Sequence, residues 1–220
     1  MMKNHYFYGL NHFMQIIKKY FGELSSLKLE QLEALKPFYE DWNSKINLVS
    51  RKDMEHFYEH HVLHSLTIAR YLKFVSGTKI LDVGTGGGFP GIPLAIVFPE
   101  ASFLLIDSIG KKIMVVNAAA EHLGLSNVTA EKQRAEEIKE QFDFVVSRAV
   151  TNLPEFISWT GNKFHGKSKN SKPNGILYLK GGDLKPELEA LPRRWIKSVH
   201  PISQWFSEPY FETKSLIHLF

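Results

Sequence analysis

The sequence predicts an α/β fold: a mostly parallel sheet with helices on both faces, an antiparallel C-terminal edge and an N-terminal helical appendage. Three observations carry this expectation. From about residue 76 onward, short β-rich runs alternate with helical stretches, the pattern of a parallel sheet built from crossover units. The first of those runs opens directly into a glycine cluster, KILDVGTGGGFPG over residues 79–91. Before residue 76 the apolar residues recur only at helical spacing.

Taken in order, that spacing runs through Phe13, Ile16, Ile17 and Tyr20, then Leu32, Leu35, Phe38, Tyr39, Trp42 and Ile46, then Val62, Leu66, Ala69 and Leu72. Residues 1–76 are expected to form a helical segment packed on a domain of residues 77–220. Strands are expected at Lys79 to Val83, Ser102 to Ile106, Val128 to Glu131, Phe142 to Val146 and Ile176 to Leu179. Helices at Ile92 to Phe98, Lys111 to Leu123 and Leu153 to Lys163 fill the crossovers. Two further strands, Trp195 to Trp205 and Lys214 to Phe220, have no helix between them, so an antiparallel addition at the sheet edge is expected. The stretch GNKFHGKSKNSKPNG, residues 161–175, has four lysines and almost no apolar content, and reads as a mobile loop.

A chain of 220 residues that is 44% hydrophobic can bury a substantial core and fold alone. It has no run of 18 uncharged apolar residues, and its opening, MMKNHYFYGLNHF, lacks the basic stretch and apolar core of a signal peptide. A soluble, cytoplasmic monomer is the expectation. The absence of cysteine excludes disulfides, thiolate metal sites and a cysteine nucleophile. A formal charge of +4 is compatible with a polyanionic partner.

The glycine cluster is the most informative segment. Asp82 sits in the strand just before Gly84, Gly86, Gly87 and Gly88, and glycine there permits positive φ and close approach of a ligand to bare backbone. Gly86, Gly88 and Gly91 also match G-x-G-x-x-G, the dinucleotide fingerprint. A fixed anion at Asp82 would repel a pyrophosphate at short range, whereas S-adenosylmethionine has no phosphate and carries a sulfonium and an ammonium group. The expected architecture is therefore a Rossmann-like class I S-adenosylmethionine-dependent methyltransferase, with Asp82, Gly84 and Gly86 at the cofactor. Asp107, closing FLLID, stands where a carboxylate accepts from ribose hydroxyls, though an Asp after a strand also serves as a helix cap. Ala135 and Glu136 follow the third strand near the expected adenine position, where a solvated helix start is the alternative.

Arg134, Arg148 and Lys180 each follow a strand on the ligand-binding side of such a sheet and are candidates for base and phosphate contacts. Surface ion pairs are the alternative, most of all for Arg134 beside Glu136 and Glu137. His56, His60, His61 and His64 form i, i+4 pairs on an expected helix, but Phe57 stands where a zinc protease needs its Glu, so no metal is expected. Hydrogen bonding or stacking at the surface between helical segment and sheet fits these histidines better.

From DVGTGGGFPGIPLAIVFPEASFLLIDSIGKK the chain continues through LGLSNV, QRAEE, FDFVVSRAV and YLKGG, and upstream it carries WNSKINLVS. In these motifs and their order, over roughly Trp42 to Gly182, it resembles the glucose-inhibited division protein B family, the ribosomal small-subunit methyltransferase G enzymes. The resemblance implies methylation of guanine N7 in 16S rRNA, acting on that rRNA or the small ribosomal subunit. It also implies cofactor contacts from Gly84, Phe89, Ala135, Glu136 and Arg148, with Asp107 at the ribose. Two departures stand out: His64 occupies a position where many members have an acid, and the lysine-rich stretch is longer than expected.

Guanine N7 has a free lone pair and no proton, so its methylation needs positioning and no general base. The missing cysteine excludes the covalent route to pyrimidine C5, and Ser147-Arg148-Ala149 replaces the Asp/Asn-Pro-Pro-aromatic motif of amino-group methyltransferases. A methyltransferase for another RNA or a small molecule, and a non-catalytic RNA-binding module of the same fold, are the competing readings.

Overall fold

The computed structural model describes residues 15–46 and 48–220. Phe13 and the start of the expected 1–76 segment lie outside the described residues. Residues 15–21 are helical, followed by α1 (Ser26–Asn43), α2 (Arg51–Glu55), a π-helical turn over Tyr58–Leu63 and α3 (His64–Tyr71). Crossovers then alternate: β1 (Lys79–Val83), α4 (Gly91–Val97), β2 (Ser102–Asp107), α5 (Gly110–His122), β3 (Val128–Lys132), a 3-10 turn at Ala135–Glu137 and β4 (Phe144–Arg148). The chain closes with α6 (Leu153–Thr160), β5 (Gly175–Gly181), α7 (Lys185–Glu189), β6 (Lys197–Pro201) and β7 (Lys214–Leu219). Among the described residues no helix is long and apolar enough to cross a membrane.

The strands form one seven-stranded sheet in the order β3-β2-β1-β4-β5-β7-β6. β1 to β5 run parallel, with Asp82 opposite Leu105 on one side and Val146 on the other. β7 is antiparallel to both β5 and β6, as expected from the missing crossover. Strand order reverses between β1 and β4, which opens a crevice beyond their carboxyl ends, the place where such sheets bind ligands.

Alternating residues of the strands feed two apolar cores. Ile80, Phe103, Leu105, Phe144, Val146, Leu177 and Leu179 pack under α4, α5 and the N-terminal helices. Leu81, Val83, Ile106, Val145, Ile176 and Tyr178 face the other side, under α6. Ile17, Phe21, Leu32, Leu35 and Tyr39 are fully buried in the first core, so the N-terminal helices share a core with the sheet.

Boundaries depart from expectation where side chains intervene. β4 starts at Phe144 because Phe142 pairs instead with Phe164, while Asp143 bonds Lys79 through both its backbone and its carboxylate. α6 stops at Thr160, and Lys163 turns back to donate Nζ to the Ile138 carbonyl at 2.5 Å. β6 spans only Lys197–Pro201, since the chain then coils to bury Ile202 and Phe206.

The lysine-rich stretch is not the free loop expected. Lys169 Nζ reaches the Gly77 carbonyl at 2.5 Å and the Asp143 carboxylate at 3.5 Å, and Asn170 Oδ1 accepts from Val75 N and Thr78 Oγ1. These anchors sit at the amino ends of β1 and β4, opposite the crevice. Polar side chains that composition marks as solvated have here found backbone partners, which no local pattern encodes.

Asn127, at the entry to β3, offers Nδ2 to the carbonyls of Ala95, Phe98 and Ala101 at 3.1–3.2 Å, closing the C-terminal end of α4. Asn127→Ala is expected to lower the unfolding free energy in urea by about 1–3 kcal/mol. An unchanged midpoint would mean that water serves those carbonyls equally well.

Candidate active site

The chain leaves β1 at Val83 and turns through Gly84, Thr85, Gly86, Gly87 and Gly88 toward α4. Asp82 lies fully buried beneath this turn, its Oδ2 accepting from Thr85 Oγ1 at 2.7 Å and from Gly91 N at 2.8 Å. Burial pushes its carboxyl up to about 7, opposed by those two hydrogen bonds and by the Arg148 charge. Its other oxygen, Oδ1, is buried without a hydrogen-bond partner.

Two further side chains hold the turn. Asp107, at the end of β2, accepts from Gly86 N at 3.0 Å on Oδ2 and from Ile109 N at 2.9 Å on Oδ1. Tyr39, from α1, donates its hydroxyl to the Gly87 carbonyl. Gly84 has φ +66°, and a Cβ there would stand 2.5 Å from the Val150 side chain, so both conformation and space require glycine.

A pocket of about 460 Å³ opens above the carboxyl ends of β1, β2 and β4. Of the residues singled out from the sequence, the structure brings Gly84, Asp107, Arg134, Ala135, Glu136 and Arg148 to its wall. Asp82, Gly86 and Phe89 lie behind that wall. Phe89 is buried against Tyr39 and His61, each with ring centroids 5.2 Å away, and the Arg148 guanidinium lies 5.4 Å from its ring centre. Lys180 stands apart from the pocket: its ammonium is held by Glu187 at 2.6 Å and the Thr151 carbonyl at 2.9 Å. The expected substrate lysine therefore has partners within the chain, one of them supplied by α7.

Arg148 donates Nη1 to the His60 carbonyl and Nη2 to His61 Nδ1, both at 2.9 Å. His61 is pushed down to about 3 by burial first and then by the Arg148 charge, so it is neutral. With Nδ1 accepting, its proton sits on Nε2, which is buried without a partner. The next residue, Ala149, has φ +50°, a region costly for a side chain with Cβ.

His64 is 3% exposed, with Tyr210 Oη 3.3 Å from its Nδ1. Burial, then the charges of Arg148 and Lys214, hold it well below its ordinary value. His60 does stack, on Tyr210 with ring centroids 3.9 Å apart, and pairs with Asp53 at 3.1 Å.

Ile109, Gln133, Val150 and Trp159 also line the pocket and were not singled out from the sequence. Ile109, Gln133 and Val150 each follow a strand end, a positional signal that was legible. Trp159 arrives on α6, brought there by packing against the Ala135–Glu137 turn, and has no such signal.

The model of the family described as rRNA small subunit methyltransferase G matches residues 28–207 of this chain. The chain belongs to that family. A protein named ribosomal RNA small subunit methyltransferase G from Flavobacterium psychrophilum is 54% identical over 206 residues, covering 94% of this chain and 97% of its own length. Its namesake from Bacteroides thetaiotaomicron is 52% identical over 205 residues, covering 93% of this chain and 98% of its own length. Among solved structures, a SAM dependent methyltransferase from Aquifex aeolicus aligns with a TM-score of 0.54 at 15% identity, over 78% of this chain and 98% of that one. The fibrillarin/Nop5p complex aligns at 0.53 and 10% identity, over 72% of this chain and 79% of that one. These two share its fold. This rRNA small subunit methyltransferase G family member is thus an enzyme with the Rossmann-like methyltransferase architecture.

In this family member the buried Asp82 links stability to pH. Its ordinary value is 3.8 and its folded value about 7, so the folded state favours the protonated form. The stabilising contribution is full below about 3.8 and is lost as the pH rises toward about 7. Asp82→Asn is expected to remove that dependence: wild-type stability relative to the variant should decline between those values in urea titrations. A constant difference across the range would show that the carboxyl is not raised.

Proposed function

We propose that this enzyme transfers the methyl group of S-adenosylmethionine to N7 of a guanine in 16S rRNA, presented as free rRNA or in the small ribosomal subunit. The observation that carries the cofactor is the Asp82 carboxylate on Gly91 N. The first amide of α4, which a pyrophosphate would need, is already taken by the buried Asp82 oxygen, so the glycine turn suits a ligand without phosphate. The buried Oδ1 without a partner supports a cationic one, since a nearby positive charge lowers the cost of ionising Asp82. A volume of about 460 Å³ lies in the range of small-molecule sites.

The residues fit that group in sequence along the pocket. Gly84 offers bare backbone to the methionine end, Asp107 accepts from the ribose, and Ala135 with Glu136 borders the adenine. Asp82, Gly86 and Phe89 support these contacts from behind. Bound there, S-adenosylmethionine supplies an electrophilic methyl group on sulfur. The chain's own task is alignment, because N7 presents a lone pair and no proton has to be removed. Arg148 spends two donors on His60 and His61 and keeps others for the O6 edge of guanine or a phosphate, while exposed Arg134 faces the RNA backbone.

Residues 1–76 and 77–220 are proposed as two parts of one working unit, the first carrying the His60–His61 turn that braces Arg148. A monomer acting in the cytoplasm, where its rRNA is found, completes the reading.

Incubation with methyl-labelled cofactor and either small subunits or naked 16S rRNA, followed by mapping of modified nucleotides, tests the proposal. Label at a guanine N7 is expected; tight cofactor binding without transfer to RNA would overturn it. Asp107→Ala is expected to weaken S-adenosylhomocysteine binding by about 1–3 kcal/mol in titration calorimetry, through lost charged hydrogen bonds. Unchanged affinity would displace the ribose from this carboxylate.

A further inference from the structure

We propose that Tyr178 is a positioning residue for methyl transfer, clamping through its hydroxyl the loop that forms the β4 side of the pocket. The inference rests on the reading of that pocket as the S-adenosylmethionine site. Tyr178 itself does not line it. The ring is fully buried in β5, edge-on to Phe156 at 4.7 Å between centroids, and only the hydroxyl reaches the loop.

That hydroxyl is fully committed. It accepts from Val150 N at 2.8 Å and Thr151 N at 3.0 Å and donates to the Thr151 carbonyl at 2.9 Å, using both lone pairs and its proton. Burial pushes the phenol up, so it stays a donor at any working pH.

The clamped segment has a shape that it would not hold by itself. Ala149 sits at φ +50°, and Val150 occupies the space above Gly84 that a Cβ would need. Ala149 and Val150 both line the pocket, so the Tyr178 bonds set the distance between the β4 loop and the glycine turn.

Lys180, two residues on and therefore on the same face of β5, adds a bond to the same Thr151 carbonyl. Glu187 holds Lys180 and also accepts from Leu153 N at 2.8 Å, at the start of α6. The YLKGG motif thus acts through the loop, and its lysine belongs to the clamp.

Tyr178→Phe in the full-length enzyme removes one oxygen and keeps the ring. Amide hydrogen exchange at Val150 and Thr151 is expected to accelerate at least about tenfold, because both lose their acceptor. KM for S-adenosylmethionine is expected to rise about five- to tenfold, with KM for the ribosomal subunit unchanged, since only the cofactor wall moves. Thr78→Val serves as the control. It deletes a buried hydroxyl bonded to the Val75 carbonyl and Asn170, at the opposite end of β1, and should alter stability without moving either KM.

Should Tyr178→Phe fail to fold, Lys180→Met, which removes the second bond to Thr151, is expected to raise the cofactor KM about two- to threefold. An unchanged cofactor KM and unchanged exchange at Val150 and Thr151 would overturn the clamp. So would a KM rise equally large in Thr78→Val, because it would mark a general loss of stability. Wild-type enzyme that binds no cofactor would instead overturn the underlying reading of the pocket.

Discussion

A turn of five residues with four glycines has only the Thr85 side chain with which to hold itself, so most of its shape must be imposed from outside. Asp82 imposes most of it. One buried oxygen gathers the Thr85 hydroxyl and the first amide of α4, fixing where the turn begins and where the helix starts. The cost is a carboxyl whose protonation burial favours, and because its oxygen occupies the first amide of α4, that amide is closed to a diphosphate. Asp107 and Tyr39 then hold the middle of the turn from the neighbouring strand and from α1. Fold, cofactor chemistry and the placing of the N-terminal helices all meet at this one segment.

The N-terminal helices follow from that arrangement. They share one apolar core with the sheet, and they reach the site twice, through Tyr39 on Gly87 and through His60 and His61 on Arg148. Arg148 is a cation half-buried beside Phe89, which requires hydrogen-bond partners, and the π-helical turn supplies a backbone carbonyl and a neutral imidazole. Orientation of the guanidinium is therefore set by the helical segment, although Arg148 itself belongs to β4.

Much of the molecule was legible in advance. The parallel core strands showed because apolar runs buried on both faces leave a clear signature, and the antiparallel edge showed because no crossover separates the last two strands. Gly84, Asp107, Ala135, Glu136 and Arg148 were legible because residues following parallel strands converge at one edge of such a sheet. Lys180 has the same position in the sequence, yet Glu187 of α7 claims its charge. The lysine-rich stretch shows the same failure: polar residues read as a free loop became partners of distant side chains or backbone.

By itself, the sequence determined the order of elements, the glycine turn with its acid, and membership of a methyltransferase family. These are local or periodic properties, written in neighbouring residues. Tertiary structure alone decided which side chains are spent inside the protein and which arrive at the pocket from elsewhere: Asp82 beneath the glycine turn, Tyr178 under the β4 loop, Trp159 at the pocket wall. Such assignments depend on which distant segment arrives within hydrogen-bonding reach, and a one-dimensional pattern carries no record of that distance.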